Sequence, residues 1–146
     1  MSQQTFDPSA MIVNVLGVTL VQLAKGQMIV VAYDSDAYVD EVGANGDVVR
    51  VRSADLRATI KVTLMKASPS NDYLSGLAAK DRLTGGGHGP SFVKDPRGTS
   101  RHFAAESWVK KIPEAPYATE SSNVEWEIRC AALLPPDHVI GGTLSL

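Results

Sequence analysis

Hydrophobic and polar residues alternate most cleanly from Thr59 to Leu64. Ile60, Val62 and Leu64 fall on one side, and Thr59, Lys61 and Thr63 on the other. A period of two is that of a strand with one covered and one open face. The same alternation recurs over residues 124–133. Val124, Trp126, Ile128, Cys130 and Ala132 share one face, and Glu125, Glu127 and Arg129 the other. Shorter strands are expected at 10–15, 18–23, 37–42, 48–52 and 91–94, and around Ser107-Trp108-Val109 within 102–111. In 48–52, Val49 and Val51 oppose Arg50 and Arg52. Residues 28–33 are β-branched and almost uninterrupted, which predicts a strand covered on both faces. Asn45-Gly46 predicts a hairpin, because both residues tolerate positive φ.

Helical spacing occurs once. Ser68 can cap a helix whose first residue is Pro69, and Tyr73, Leu74, Leu77 and Ala78 follow along one face. Gly85-Gly86-Gly87 ends it, and the glycine loop continues through His88-Gly89-Pro90. Gly17, Lys25-Gly26 and Asp95-Pro96-Arg97-Gly98 mark turns, Pro113 and Pro116 interrupt the chain, and Pro135-Pro136 stops the last strand. About eight short strands and one helix predict a mainly β fold, a β-sandwich or distorted β-barrel with one flanking α-helix. One domain covers 1–146, with an N-terminal arm at 1–9 and a C-terminal tail at 135–146 that is extended from Val139 on. The expected core includes Ile60, Val62, Leu64, Leu74, Leu77, Trp126 and Ile128.

Composition narrows the function classes. With 146 residues, 44% hydrophobic and 21% charged, the chain has the make-up of a globular domain able to bury its own core. Its net charge of −2, with no cluster of lysines and arginines, speaks against a nucleic-acid or anionic-membrane binder. A single cysteine, Cys130, forms no intrachain disulfide and fits a reducing cytoplasm. No apolar run approaches the roughly 20 residues of a membrane span. The N-terminus lacks the pattern of a signal peptide, so the chain is expected to be soluble and retained in the cell that makes it.

Candidate chemistry is sparse. His88, His102 and His138 lie in a glycine loop, a turn-like region and the stretch after a proline pair, without metal-ligand spacing. The glycine loop lacks the Lys-Ser/Thr ending and the following helix of a phosphate-binding loop, and reads as a helix stop. Cys130 shares a face with Trp126 and Ile128 and is expected to be buried and inert. No serine sits in a nucleophile elbow. Asp34/Asp36 and Asp40/Glu41 are paired acids, but adjacent strand residues point to opposite faces, so Asp40 and Glu41 cannot serve one site without a bulge. No catalytic residue, metal ligand or cofactor site is expected.

The charges of 33–64 remain. Asp40, Glu41, Asp47, Arg50, Arg52, Asp55 and Arg57 combine both signs on extended chain. They form either a solvated surface or a contact between subunits, where the planar guanidinium suits bidentate pairing with a neighbour's carboxylate. Thr59-Lys61-Thr63 and Glu125-Glu127-Arg129 can complement each other as cross-strand neighbours.

These residues carry a resemblance. The run Tyr33, Asp36, Val39-Asp40-Glu41-Val42-Gly43-Ala44-Asn45-Gly46, Arg50-Val51-Arg52-Ser53, Asp55, Arg57, Thr59-Ile60 and Val62-Thr63-Leu64 resembles the tail tube proteins of contractile-tailed bacteriophages. So do Ser68-Pro69-Ser70-Asn71-Asp72 leading into Leu74 and Leu77, and Gly89-Pro90, Val93-Lys94-Asp95 and Gly98-Thr99. Glu106-Ser107-Trp108-Val109-Lys110-Lys111, Ser122-Asn123 and Glu125-Trp126 continue it, across 10–134. The resemblance implies a structural virion protein without enzymatic activity. Six copies would form a ring, their sheets joined into one barrel around a channel, and rings would stack into a hollow tube inside a contractile sheath that conducts DNA during ejection. The mixed charges would then lie between subunits or rings. Glu125 and Glu127, offset by Lys61 and Arg129, become lumen candidates, since a channel that passes DNA must not grip it. Implied partners are other copies of the chain, the sheath protein, baseplate and tail terminator proteins, and a tape-measure protein in the lumen. DNA would pass without sequence-specific binding. Alternatives are the tube of a related injection machine or tailocin, a head–tail connector forming one ring, or a monomeric β-barrel binding domain.

Overall fold

The computed structural model describes residues 11–24, 28–96, 98–113 and 123–141. The expected arm at 1–9, the turn residues Lys25 and Gly26, and Arg97 and Pro116 lie outside these. The chain forms β1 (Ile12–Val15), β2 (Val18–Thr19), β3 (Ile29–Tyr33), β4 (Tyr38–Val42), β5 (Val48–Arg52) and β6 (Ala58–Met65). It continues with α1 (Ser70–Thr84), β7 (His88–Lys94), β8 (Arg101–Lys111), β9 (Asn123–Cys130), a 3-10 turn (Pro135–Asp137) and β10 (His138–Val139). The fold is mainly β with one flanking helix.

One antiparallel sheet runs in the order β2-β1-β7-β8-β9-β6-β3, and β10 adds to β8 off this path. The sheet curls around a single core. Inward residues of β1 (Val13, Val15), β7 (Val93), β8 (Ala104, Val109), β6 (Ile60, Val62, Leu64) and β9 (Trp126, Ile128, Cys130) meet in one cluster with Leu74 of α1. Beyond β2 the chain crosses back to β6 through the Leu23–Leu64 bridge and the Ala24 N–H to Thr63 O bond of 2.9 Å. That crossing draws the sheet into a distorted, partly open barrel.

The strongest alternation gives the most regular strand. In β6, Ala58, Ile60, Val62 and Leu64 are buried while Lys61 and Met65 are exposed. Trp126 is buried with its Nε1–H donated to Asn71 Oδ1 at 2.9 Å, so the first turn of α1 satisfies the indole. Leu74 is fully buried, whereas Leu77 packs against the core from its edge. Pro69 already has helical backbone angles (φ −65°, ψ −18°), and Ser68 Oγ accepts the Ser70 N–H at 3.2 Å. The Ser68 hydroxyl also donates to Val21 O at 2.6 Å, which ties the helix start to the segment after β2.

Several boundaries differ from expectation. The strand expected over 18–23 stops at Thr19, and Gln22 takes a positive φ of 55° that ends regular pairing. β3 is not covered on both faces. It lies at the end of the sheet, half-buried, with Ala32 exposed, and Val30 and Ala32 line the open face beside Lys61 and Glu127. β7 begins at His88, three residues before the expected strand, and absorbs Gly89-Pro90 through a register shift between Gly89 and Ser91. The last long strand ends at Cys130, leaving Ala132 exposed and burying Leu133 in its place. Residues 135–139 form the 3-10 turn and β10, and residues 142–146 of the tail lie outside the described residues.

The glycine loop acts as a helix stop. Gly85 adopts a left-handed φ of 71° and donates its N–H to Asp81 O at 2.7 Å. Gly87 then folds back on the helix so closely that a Cβ would lie 2.5 Å from Leu77 O and 2.6 Å from Asp81 Cβ. Gly87→Ala is therefore expected to destabilise the fold by about 1–3 kcal/mol, read as a lower denaturation midpoint. An unchanged midpoint would show that the loop shifts freely.

Candidate functional site

Two surfaces hold the residues that carried the functional expectations. The first is the hairpin β4–β5. Its register pairs Tyr38 with Arg52, Val39 with Val51, Asp40 with Arg50, Glu41 with Val49 and Val42 with Val48. It forms a separate two-stranded sheet, and all ten strand residues are exposed. Alternation assigns Tyr38, Asp40, Val42, Val48, Arg50 and Arg52 to one face and Val39, Glu41, Val49 and Val51 to the other. Asp40 and Glu41 thus diverge, as their adjacency requires. On the first face the Arg50 guanidinium lies 4.1 Å from the centroid of the Tyr38 ring, a cation–π contact. The second face is nearly all valine. Its Val39 and Val49 are more than half open, and on the first face so are Val48 and Val42, the latter at 71% exposure.

The tip confirms the turn at Asn45-Gly46 and refines its geometry. Five residues separate the strands, closed by the Gly43 N–H to Asp47 O bond at 2.7 Å and the Gly46 N–H to Gly43 O bond at 3.0 Å. Gly46 carries the positive φ, at 88°. Asp47 sits in this loop.

At the base, Asp55 and Arg57 face each other. Arg57 Nε donates to Asp55 Oδ1 and Nη2 to Oδ2, both at 2.9 Å, and Ser35 Oγ donates to Oδ2 at 2.7 Å. The bidentate guanidinium, then the Ser35 hydroxyl, hold the Asp55 carboxyl well below the usual carboxylate range. Within the chain this pair closes the loop leading into β6. A cleft of about 610 Å³ opens beside it, lined by Tyr33, Tyr38, Arg52, Asp55, Pro135 and His138 among others.

The second surface is the outer face of β6 and β9. Register places Thr59 opposite Arg129, Lys61 opposite Glu127 and Thr63 opposite Glu125, as charge complementarity suggested. Glu127 forms ion pairs with Lys61 at 3.8 Å and with Lys110 of β8 at 3.5 Å. Arg129 pairs with Asp34, which also accepts from the Thr59 hydroxyl at 3.0 Å. Three carboxylates (Asp34, Glu125, Glu127) and three cations (Lys61, Lys110, Arg129) share the face, so it is balanced in sign. Asp34 is thereby engaged by an ion pair and a hydrogen bond.

The remaining candidates are structural. Cys130 is buried, and burial pushes its thiol up to about 11. No group of three or more potential metal ligands occurs among the described residues. Sequence reasoning did miss one association. His102 and His138 are not turn or surface histidines: β8 and β10 set them side by side, Nδ1 to Nδ1 at 2.6 Å. The pairing depends on a two-residue strand, for which no periodicity exists.

Comparison with known proteins accounts for this arrangement. The family profile described as bacteriophage PhiTE tail tube protein matches residues 6–135. A structural protein, ORF10 of Pseudomonas phage KPP10, is 29% identical over 112 residues, covering 75% of this chain and 65% of its own length. The chain thus spans about two-thirds of that relative. Among solved structures, the tube-terminating cap of the anti-feeding prophage shares the fold, with a TM-score of 0.59 at 7% identity and 92% of each chain covered. No helix among the described residues is long and apolar enough to cross a membrane. A mainly β chain with an open-edged barrel, a projecting exposed hairpin and a family match over nearly its whole length has one reading: it belongs to the bacteriophage PhiTE tail tube protein family and is a structural component of the phage virion.

Proposed function

We propose that six copies of this chain form a ring, and that rings stack into the hollow tube of a contractile tail, through which DNA passes during ejection. The hairpin β4–β5 carries the proposal. An isolated two-stranded hairpin is at best marginally stable in water, and this one leaves valines open on both faces. Such a surface is completed by covering it, and a second copy of the same chain is the partner that a tube supplies. Arg50, Arg52, Asp40, Glu41 and Asp47 frame the valines with both signs of charge, which sets register and excludes wrong partners. Asp55 and Arg57 support the hairpin base, and the part of Arg57 that stays open adds to the same contact.

The end strand β3 provides the second joint. Its outer edge, Ile29–Tyr33, has no strand beside it among the described residues, and pairing it with a neighbouring subunit would extend the barrel around the ring. The sign-balanced face of Lys61, Glu125, Glu127 and Arg129 would then serve as the lumen wall, because self-paired charges neither hold DNA nor repel it strongly. The sheath protein would meet the outer surface. Baseplate and terminator proteins would bound the stack, and a tape-measure protein would occupy the channel before DNA. The work is done by geometry, with no chemical step.

Negative-stain electron microscopy of the concentrated protein, with its mass measured in solution, tests the reading. Stacked hollow rings with six-fold symmetry are expected. Single rings that never stack would favour a connector or a cap. A strict monomer that also fails to polymerise on added baseplates would overturn the assembly reading.

A further inference from the structure

β10 is, with β2, one of the two shortest strands of the sheet. Two register pairs join it to β8, His138 with His102 and Val139 with Arg101. Beside them the two histidine rings are in direct contact. The two Nδ1 atoms lie 2.6 Å apart, the ring centroids 4.6 Å apart, and the Tyr33 ring meets His138 edge-on at 4.8 Å. Such a contact needs one Nδ1 to carry a hydrogen and the other to present a lone pair. When both rings are protonated, two N–H groups and two positive charges face each other and the contact cannot persist.

We propose that His102 and His138 form an acid-sensitive latch, in which proton uptake by the pair separates the rings and frees β10 from β8. Burial, reinforced by the positive charge of His138, lowers His102 to about 4, and burial lowers His138 below its usual value. The paired state therefore binds fewer protons than the released state. Its stabilisation is complete above the free histidine value of 6.5 and is lost as pH falls from there towards about 4. The charged groups around the pair do little to offset this. Arg101 donates to Pro136 O at 3.2 Å beside β10, and Lys94 lies opposite Arg101 on β7. Across the cleft stand Arg52 and Asp55, and the Asp55 carboxylate is already engaged by Arg57 and Ser35. Asp137 adjoins His138 at the end of the 3-10 turn. Tyr33 donates its hydroxyl to Leu133 O at 2.5 Å, so it remains fixed when the rings part.

His138 also walls the cleft at the base of the hairpin. Release of β10 would thus loosen the support of the surface proposed above for assembly, a consequence that rests on the tube reading. The latch itself does not, and its test reads the subunit directly. Hydrogen exchange of the segment 134–141, referenced to β9 and corrected for intrinsic rates, is measured by mass spectrometry at pH 7 and pH 4.5 with a chelator present. Exchange at the histidine ring carbons gives both titrations in the same samples. The segment is expected to lose protection by about tenfold or more at pH 4.5, with both rings titrating below 6.5. His102→Gln keeps a polar partner that cannot be protonated, and its protection should be the same at both pH values. If that variant has already lost β10 at pH 7, His138→Gln and the wild-type titration decide. Equal wild-type protection at both pH values, ordinary titration of both rings, or an acid response undiminished in the glutamine variants would overturn the latch.

Discussion

Trp126→Ala is expected to lower the free energy of unfolding by about 3–5 kcal/mol, the range for truncating a buried aromatic side chain. The indole is 2% exposed, lies in the strand opposite Val62, and shares a core with Ile60, Leu64, Ile128 and Leu74. Truncation removes that packing and leaves a cavity. It also strips Asn71 Oδ1 of its 2.9 Å donor at the helix start, so the contact between α1 and the sheet weakens with the core. Urea denaturation measures the effect as a lower midpoint with little change in slope. Trp126→Phe should recover much of the packing but not the Asn71 bond. A midpoint shift of less than about 1 kcal/mol for the alanine variant would mean that the β9 face is misassigned.

The largest effect on assembly is expected from Val49→Asp combined with Val51→Asp. Both side chains belong to the valine face of the hairpin and touch solvent, so the isolated subunit should keep its unfolding midpoint nearly unchanged. If that face is covered by a second copy, two carboxylates are buried without partners there. The loss should reach about 2 kcal/mol per contact or more, roughly thirtyfold in affinity. Sedimentation and electron microscopy would then find folded subunits and no tubes. Replacing the same valines with threonine preserves strand propensity and separates lost apolar contact from a disrupted hairpin. Arg52→Glu tests the charged face in the same way. Arg57→Glu reports chiefly on the intrachain pair with Asp55. Tubes formed normally by the aspartate double variant would remove the hairpin from the contact between copies.

How much could be read in advance depended on the range of each interaction. The alternation of 59–64 was legible because β6 has one buried and one open face along its whole length, and the matching charges of Lys61 with Glu127 were legible for the same reason. The stop at Gly85 and the turn at Gly46 were visible because positive φ is a property of a single residue. Edges were not visible. The apolar run of β3 reads like a central strand, and only the sheet order places it at the end of the sheet among the described residues. The switch from Ala132 to Leu133 as the buried residue follows from the Leu133 N–H bonding to Leu56 O at 2.9 Å, a contact spanning 77 positions.

The class of the fold, the faces of its long strands, the helix and its ends and, through resemblance, the family were all legible in the order of residues. These depend on the order of residues within a few positions of one another, where backbone sterics and a fixed period act directly. The tertiary structure alone decided that β4–β5 stands apart from the sheet, that Asp55 answers Arg57 within the chain, and that His102 meets His138. Each of these depends on how a curled sheet brings distant segments together, and no local pattern carries that information.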